Sequence, residues 1–230
     1  MQELLYKFKN LNWTLIMSVI FLSLIGLIMI YSASNSEGMK ATYSHVFKLL
    51  FGFTIMFIVA LININTWQKY SFLLYIFGII ILIYATFYGF IGKGSRRWIN
   101  IFGVNIQPSE IMKIFLIIGL AKFFDERKID NFKDYIFLLI PLIMIAIPFS
   151  IILNQPDLGT SIILLFLGAV IFFIVGINYK FFIFCGLIFL SSTPIIWNLL
   201  HEYQKQRLLT FFDPYKDPLG TGYHIIQSEI

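Results

Sequence analysis

The sequence predicts an all-α polytopic membrane protein with seven spanning helices and a cytoplasmic N-terminus. Three observations carry that reading. Hydrophobic residues make up 59% of the 230 residues and charged ones only 13%, far from the averages of soluble domains. Seven apolar stretches come close to the roughly 20 residues that cross a bilayer: 12–31, 46–63, 70–91, 106–124, 135–153, 159–177 and 181–200. Within them apolar residues run continuously and do not alternate, which disfavours strands, and lipid-facing strands must in any case close into a barrel.

The first stretch is long and is not followed by a small-residue cleavage site near Tyr31 to Ser36, so it reads as a retained helix and not as a signal peptide. The remaining connections are short, apart from the charged linker Asp125 to Asp134 and the tail after Leu200, and leave no room for a soluble domain. Pro141, Pro148 and Pro194 fall inside apolar runs, where neighbouring helices can satisfy the freed carbonyls. Cys185 is the only cysteine and is expected to be a buried spectator, with no disulfide or thiolate metal site.

Charge counting leaves the orientation open. With the N-terminus inside, Lys7, Lys9, Lys69, Lys122, Arg127, Lys128, Lys133 and Lys180 lie inside, while Lys40, Lys48, Lys93, Arg96, Arg97, Lys205, Arg207 and Lys216 lie outside or at its edge. The first helix breaks the tie, with Lys7 and Lys9 before it and only Lys40 soon after. The segments 92–105, 154–160 and 201–230 then share the outer face. A surface this basic calls for an anionic ligand, or else forms a solvated rim beside lipid headgroups.

Three clusters on that face carry the chemistry. In GKGSRRWIN, Lys93, Arg96 and Arg97 offer donors suited to phosphate oxygens and Trp98 supplies an amphipathic plate at headgroup depth. A diphosphate lipid fits these residues, and so does an ordinary interfacial anchor. In IQPSEIMK, a helix starting near Ile106 places Glu110 about 6 Å and Lys113 about 10 Å along its axis. The two are one turn apart and can pair, and ionisable groups within spans face cavities or the bundle interior. Lys113 snorkelling to the surface is the alternative. In NQPDLGTS, Asp157 stands where a helix N-cap is expected and faces the same side as Lys113. Asp213 and Asp217 precede prolines and read as turn formers, and His224 has no second ligand at metal spacing.

GKGSRRWIN, QPSEIMK, NQPDLGTS and RLLTFFDPYKDPLGTGYHIIQS, in this order, resemble the SEDS (shape, elongation, division and sporulation) family of bacterial cell-wall synthases across essentially the whole chain. DPLGTGYHIIQS resembles the elongation branch more than the division branch. The resemblance implies a multi-pass protein of the bacterial inner membrane that polymerises lipid II, the undecaprenyl-diphosphate-linked precursor, in elongation and rod-shape maintenance. It implies a class B penicillin-binding transpeptidase and rod-complex proteins as partners, alongside membrane lipid and without nucleic acid. A divalent cation, Mg or Mn, is a possible cofactor by the same resemblance; no residue of this chain is assigned to a metal.

By matching position, Arg97, Trp98, Gln107, Glu110, Lys113, Gln155 and Asp157 would line or support a polar cavity, and Lys93, Arg96 and Arg207 are further candidates for binding substrate or lining it. The carboxylate proposed in the family as general base belongs to a His-Thr-Asp-Phe stretch that this sequence does not contain. By the resemblance that stretch is expected downstream of Ile230, so no catalytic residue is assigned within the chain. The chain therefore reads as one truncated SEDS domain over 1–230, with an incomplete outer loop and without the family's last three helices, and is expected to be inactive alone. A flippase for lipid-linked precursors, or a non-catalytic scaffold for a class B penicillin-binding protein, would use the same features.

Overall fold

A computed structural model describes residues 2–33, 38–92, 95–101, 104–126, 135–155, 157–199, 205, 209–210 and 213. In chain order the elements are α1 (Gln2–Lys9), α2 (Trp13–Ala33), α3 (Gly38–Leu61), α4 (Ile64–Tyr88), β1 (Phe90–Gly92), β2 (Ser95–Ile101), β3 (Val104–Ile106), α5 (Pro108–Asp125), α6 (Tyr135–Asn154), α7 (Leu158–Ile174) and α8 (Tyr179–Leu199). Each of the seven apolar stretches falls largely within one of the helices α2 to α8. Four helices are long and apolar enough to cross a membrane, namely α2, α3 from Thr42, α4, and α6 from Phe137. The apolar helices α7 and α8 are shorter by that measure, and α5 carries Glu110, Lys113, Lys122 and Asp125.

The structure departs from the expectation in four places. It is not all-α, because β1, β2 and β3 form a three-stranded sheet of order β1-β2-β3. Trp98, Ile99 and Ile101 are strand-favouring, and short strands that pair with each other need no barrel. The helix expected near Ile106 begins at Pro108. Proline suits the first helical position and pushes the residue before it into extended backbone, and Gln107 has φ −100° and ψ 111°. An eight-residue helix, α1, precedes the first apolar stretch. Finally, Cys185 is exposed and not buried, as is most of α8 around it.

The chain divides into two compact units, residues 1–70 with 102–104, and 71–101 with 105–230. In the first, α2 and α3 pack together and present apolar side chains outward almost everywhere, as lipid-facing helices do.

The second unit holds the core. Met112, Leu116 and Leu120, spaced by four along α5, are fully buried, and they join Leu82 of α4, Met144, Ile145 and Ile152 of α6, and Leu164 and Phe172 of α7. The edge of Phe124 meets Phe172, with centroids 5.7 Å apart. Gly168 lets α7 approach α6 closely, since a Cβ there would overlap the Ile145 side chain.

Pro148 lies inside α6 and has no N–H to offer the Met144 carbonyl four residues back. The Tyr75 hydroxyl of α4 donates to that carbonyl instead, at 3.0 Å. Tyr75→Phe is therefore expected to destabilise the helix packing by about 0.6 kcal/mol and at most about 1.7, read as a lowered midpoint in reversible detergent unfolding. An unchanged midpoint would show that the carbonyl needs no donor.

Candidate functional site

The site lies where the end of α4, the hairpin, the start of α5 and the α6–α7 connection converge. Gly89 closes α4 with a bond from its N–H to the Ala85 carbonyl at 3.0 Å. A Cβ on Gly89 would overlap that carbonyl and come within 3.1 Å of the Trp98 carbonyl, so the hairpin leaves the helix in backbone contact that only glycine permits.

In the β1–β2 pairing Phe90 faces Trp98, Ile91 faces Arg96 and Gly92 faces Ser95. Arg97 is thus one extra residue between two partners, a bulge of the kind that re-aims a side chain. Arg96 is exposed and Trp98 half-buried, whereas Arg97 is only 9% exposed.

The buried Arg97 meets Asp157. One terminal guanidinium nitrogen, Nη1, lies 2.8 Å from Asp157 Oδ2. The Gln107 side-chain amide donates to the same oxygen at 2.9 Å, and so does the Thr160 hydroxyl at 2.9 Å. The Thr160 backbone N–H donates to Oδ1 at 3.3 Å, which makes Asp157 the N-cap of α7. The carboxylate of Asp157, a residue 6% exposed, therefore binds the hairpin, the residue leading into α5 and the first turn of α7 together. An anion also suits that helix end. Arg97 Nε and the Ser109 hydroxyl are buried without a hydrogen-bond partner among the described residues.

Two further contacts complete the arrangement. Lys113 Nζ lies 2.9 Å from both Glu110 oxygens, with the Lys113 side chain 17% exposed and that of Glu110 58% exposed. Gln155, 3% exposed, donates to the Leu82 carbonyl at 3.0 Å and to the Thr86 hydroxyl at 2.8 Å, tying the end of α6 to α4.

Of the residues expected from sequence, the structure brings Arg97, Gln107 and Asp157 into one network, pairs Glu110 with Lys113, and places Gln155 in a third set of contacts. Lys93 and Arg207 lie outside the described residues, as do Asp217 and His224. Ile230, downstream of which the general base is expected, lies outside them too. Thr160 and Thr86 were not foreseen. Thr160 was legible as Asp-x-x-Thr at a helix start, while Thr86 had no signal, its partner lying far along the chain.

The chemistry follows from the donors. Asp157 Oδ2 already accepts from three groups, so this carboxylate organises the site and is poorly placed to take a proton from a substrate. An ammonium has three N–H groups and Glu110 offers two oxygens, so Lys113 retains capacity for an incoming anion. Among the described residues a divalent cation fits poorly. No three His, Cys, Asp or Glu side chains among the described residues are grouped to hold one, and the carboxylates of Asp157 and Glu110 are each engaged by a cation.

Fold and site together define a class: a multi-helix membrane protein with a surface hairpin pinned to its helices by a buried ion pair, beside a half-buried lysine. The chain belongs to the FtsW/RodA/SpoVE family of cell cycle proteins, whose model matches residues 12–230; this is the SEDS family that its motifs resemble. It is 34% identical over 224 residues to the peptidoglycan glycosyltransferase MrdB of Escherichia coli K12, covering 96% of this chain and 59% of that protein. It is 36% identical over 224 residues to the stage V sporulation protein E of Bacillus subtilis 168, covering 93% and 61%. Among solved structures it superposes with a TM-score of 0.80 on a chain of a peptidoglycan synthase complex, at 26% identity, covering 95% of this chain and 64% of that one. The rod shape determining protein RodA of Thermus thermophilus shares the fold, with a TM-score of 0.67. The chain spans about 59% of the length of its MrdB relative.

Proposed function

We propose that this chain works as part of a peptidoglycan glycosyltransferase that polymerises lipid II during elongation and rod-shape maintenance, in the inner membrane and beside a class B penicillin-binding transpeptidase. Seven helices, α2 to α8, cross the bilayer with the N-terminus inside. At 1.5 Å per residue, α5 and α7 extend about 25–27 Å, close to the hydrocarbon thickness. The Arg97–Asp157 contact supports this topology. It requires the hairpin and the start of α7 to share a face, and two crossings, α5 and α6, lie between them.

The observation that carries the function is Lys113: a half-buried ammonium at the start of a core helix, partnered by an exposed carboxylate that a stronger anion can displace. With Arg96 on the exposed side of the hairpin, it is suited to the diphosphate of a lipid-linked sugar, stabilising the charge that develops as that group departs. Arg97, Gln107, Asp157 and Gln155 hold the walls in place. The base that activates the attacking sugar hydroxyl is not among the groups described above.

The experiment uses fluorescent lipid II in proteoliposomes, with the protein carried on to the full length of its relatives and combined with its class B partner. Glycan ladders on a gel are the expected result. Translocation of lipid II without polymer would replace this reading with a transporter.

A further inference from the structure

The first unit carries a feature that the glycosyltransferase reading does not use. Helix α1 is closed by bonds from the Asn10 N–H to the Tyr6 and Lys7 carbonyls, at 3.1 and 3.2 Å. The Asn12 side chain then caps the next helix by accepting the Leu15 N–H at 3.2 Å. The chain thus breaks between α1 and the first span and does not run straight into it.

What fixes α1 is aromatic. The Phe8 ring lies 5.2 Å from that of Trp13 at the start of α2 and 6.0 Å from that of Phe57, one turn before the end of α3. A tight turn follows α3, with the Thr66 N–H bonded to the Asn63 carbonyl at 2.9 Å, so α4 starts at the same end. There Lys69 Nζ stands 5.5 Å from the centre of the Tyr70 ring. Tyr6, Phe8, Trp13 and Tyr70 are all exposed, at the level where two apolar spans begin and one ends.

This end is also unbalanced in charge. Lys7, Lys9 and Lys69 face a single acid, Glu3, within residues 1–15 and 57–70. Lys9 and Lys69 are exposed. Exposed aromatic rings at a span boundary belong at headgroup depth, and lysines beside them are attracted to lipid phosphate.

We propose that α1 and the adjoining helix ends form a binding surface for anionic phospholipid headgroups, with Lys7, Lys9 and Lys69 taking the charge and Tyr6, Phe8 and Trp13 seated at the membrane boundary. This surface shares no residue with the hairpin site and does not depend on the activity assigned to that site.

The test places a fluorophore locally. Cys185 is the sole cysteine, so Asn10→Cys in a Cys185→Ser background labels α1 alone in the full chain. In nanodiscs, quenching by doxyl-labelled phosphatidylglycerol is expected to exceed quenching by doxyl-labelled phosphatidylcholine at equal mole fraction by at least about fivefold, the effect of a single lysine near an anionic surface. The ratio should fall toward one in the Lys7→Gln/Lys9→Gln/Lys69→Gln variant. It should also fall in high salt, where exposed charges are screened. If the triple variant loses its helical circular dichroism, the salt titration of the unsubstituted lysines decides in its place. A ratio near one in those unsubstituted lysines, or a high ratio that substitution or salt leaves intact, overturns the proposal.

Discussion

Asp157→Ala is expected to cost about 3–5 kcal/mol, the usual penalty for removing one member of a buried ion pair. The guanidinium of Arg97, a buried residue, would be left with no counter-charge from Asp157, and the Gln107 amide and Thr160 hydroxyl would lose the same acceptor. Loss of the α7 N-cap adds to this. Because the carboxylate joins three elements, the hairpin should detach before the helices unfold. Proteolysis within the hairpin should therefore increase at temperatures where the helical signal is still intact. Replacing both charges with apolar side chains, Arg97→Met with Asp157→Leu, should be milder than either single change, since neither leaves a buried charge behind. Detergent unfolding of the two single variants and the double variant checks this. An Asp157→Ala protein within about 0.5 kcal/mol of the parent would mean that water reaches Arg97 freely.

Lys113→Ala is expected to do the opposite: little harm to the fold and a large loss of function. Its partner Glu110 is 58% exposed, and ion pairs with such access to water contribute at most about 1 kcal/mol. In the proposed reaction, however, Lys113 donates to charge that grows as the lipid diphosphate leaves. Removing one such donor lowers turnover by about 100- to 1,000-fold. Polymerisation of fluorescent lipid II by the form of the relatives' full length provides the rate, and thermal unfolding of the same sample provides the stability. Glu110→Gln should be the gentler change, since it leaves the ammonium in place. A Lys113→Ala protein that polymerises at the parental rate would remove Lys113 from the site.

The helices were readable because each apolar stretch approaches the bilayer-crossing length, and burial in lipid leaves a continuous run few alternatives to helix. The site was readable only in part. Glu110 and Lys113 are one turn apart, so their pairing follows from local spacing. Arg97 and Asp157 are brought together by tertiary packing across two helices, which no local pattern reports. The hairpin was missed for a related reason: its glycines and cations suggested a surface loop, and β1, with three residues, carries too short a pattern to stand out. Pro108 held the information that moved the helix start past Ile106, through its restriction on Gln107. Helix α1 escaped notice because eight residues ahead of a span carry too short a pattern to stand out, and Phe8 is held by Phe57, far along the chain.

The central claim is that the half-buried lysine beside the pinned hairpin recognises a lipid diphosphate. It is tested most directly by equilibrium binding of the purified chain, in nanodiscs, to lipid II, to undecaprenyl diphosphate and to undecaprenol. The account predicts binding of the two diphosphates, weak binding of the alcohol, and loss of that preference in Lys113→Ala. Equal affinity for the alcohol, or a preference that survives Lys113→Ala, would contradict it.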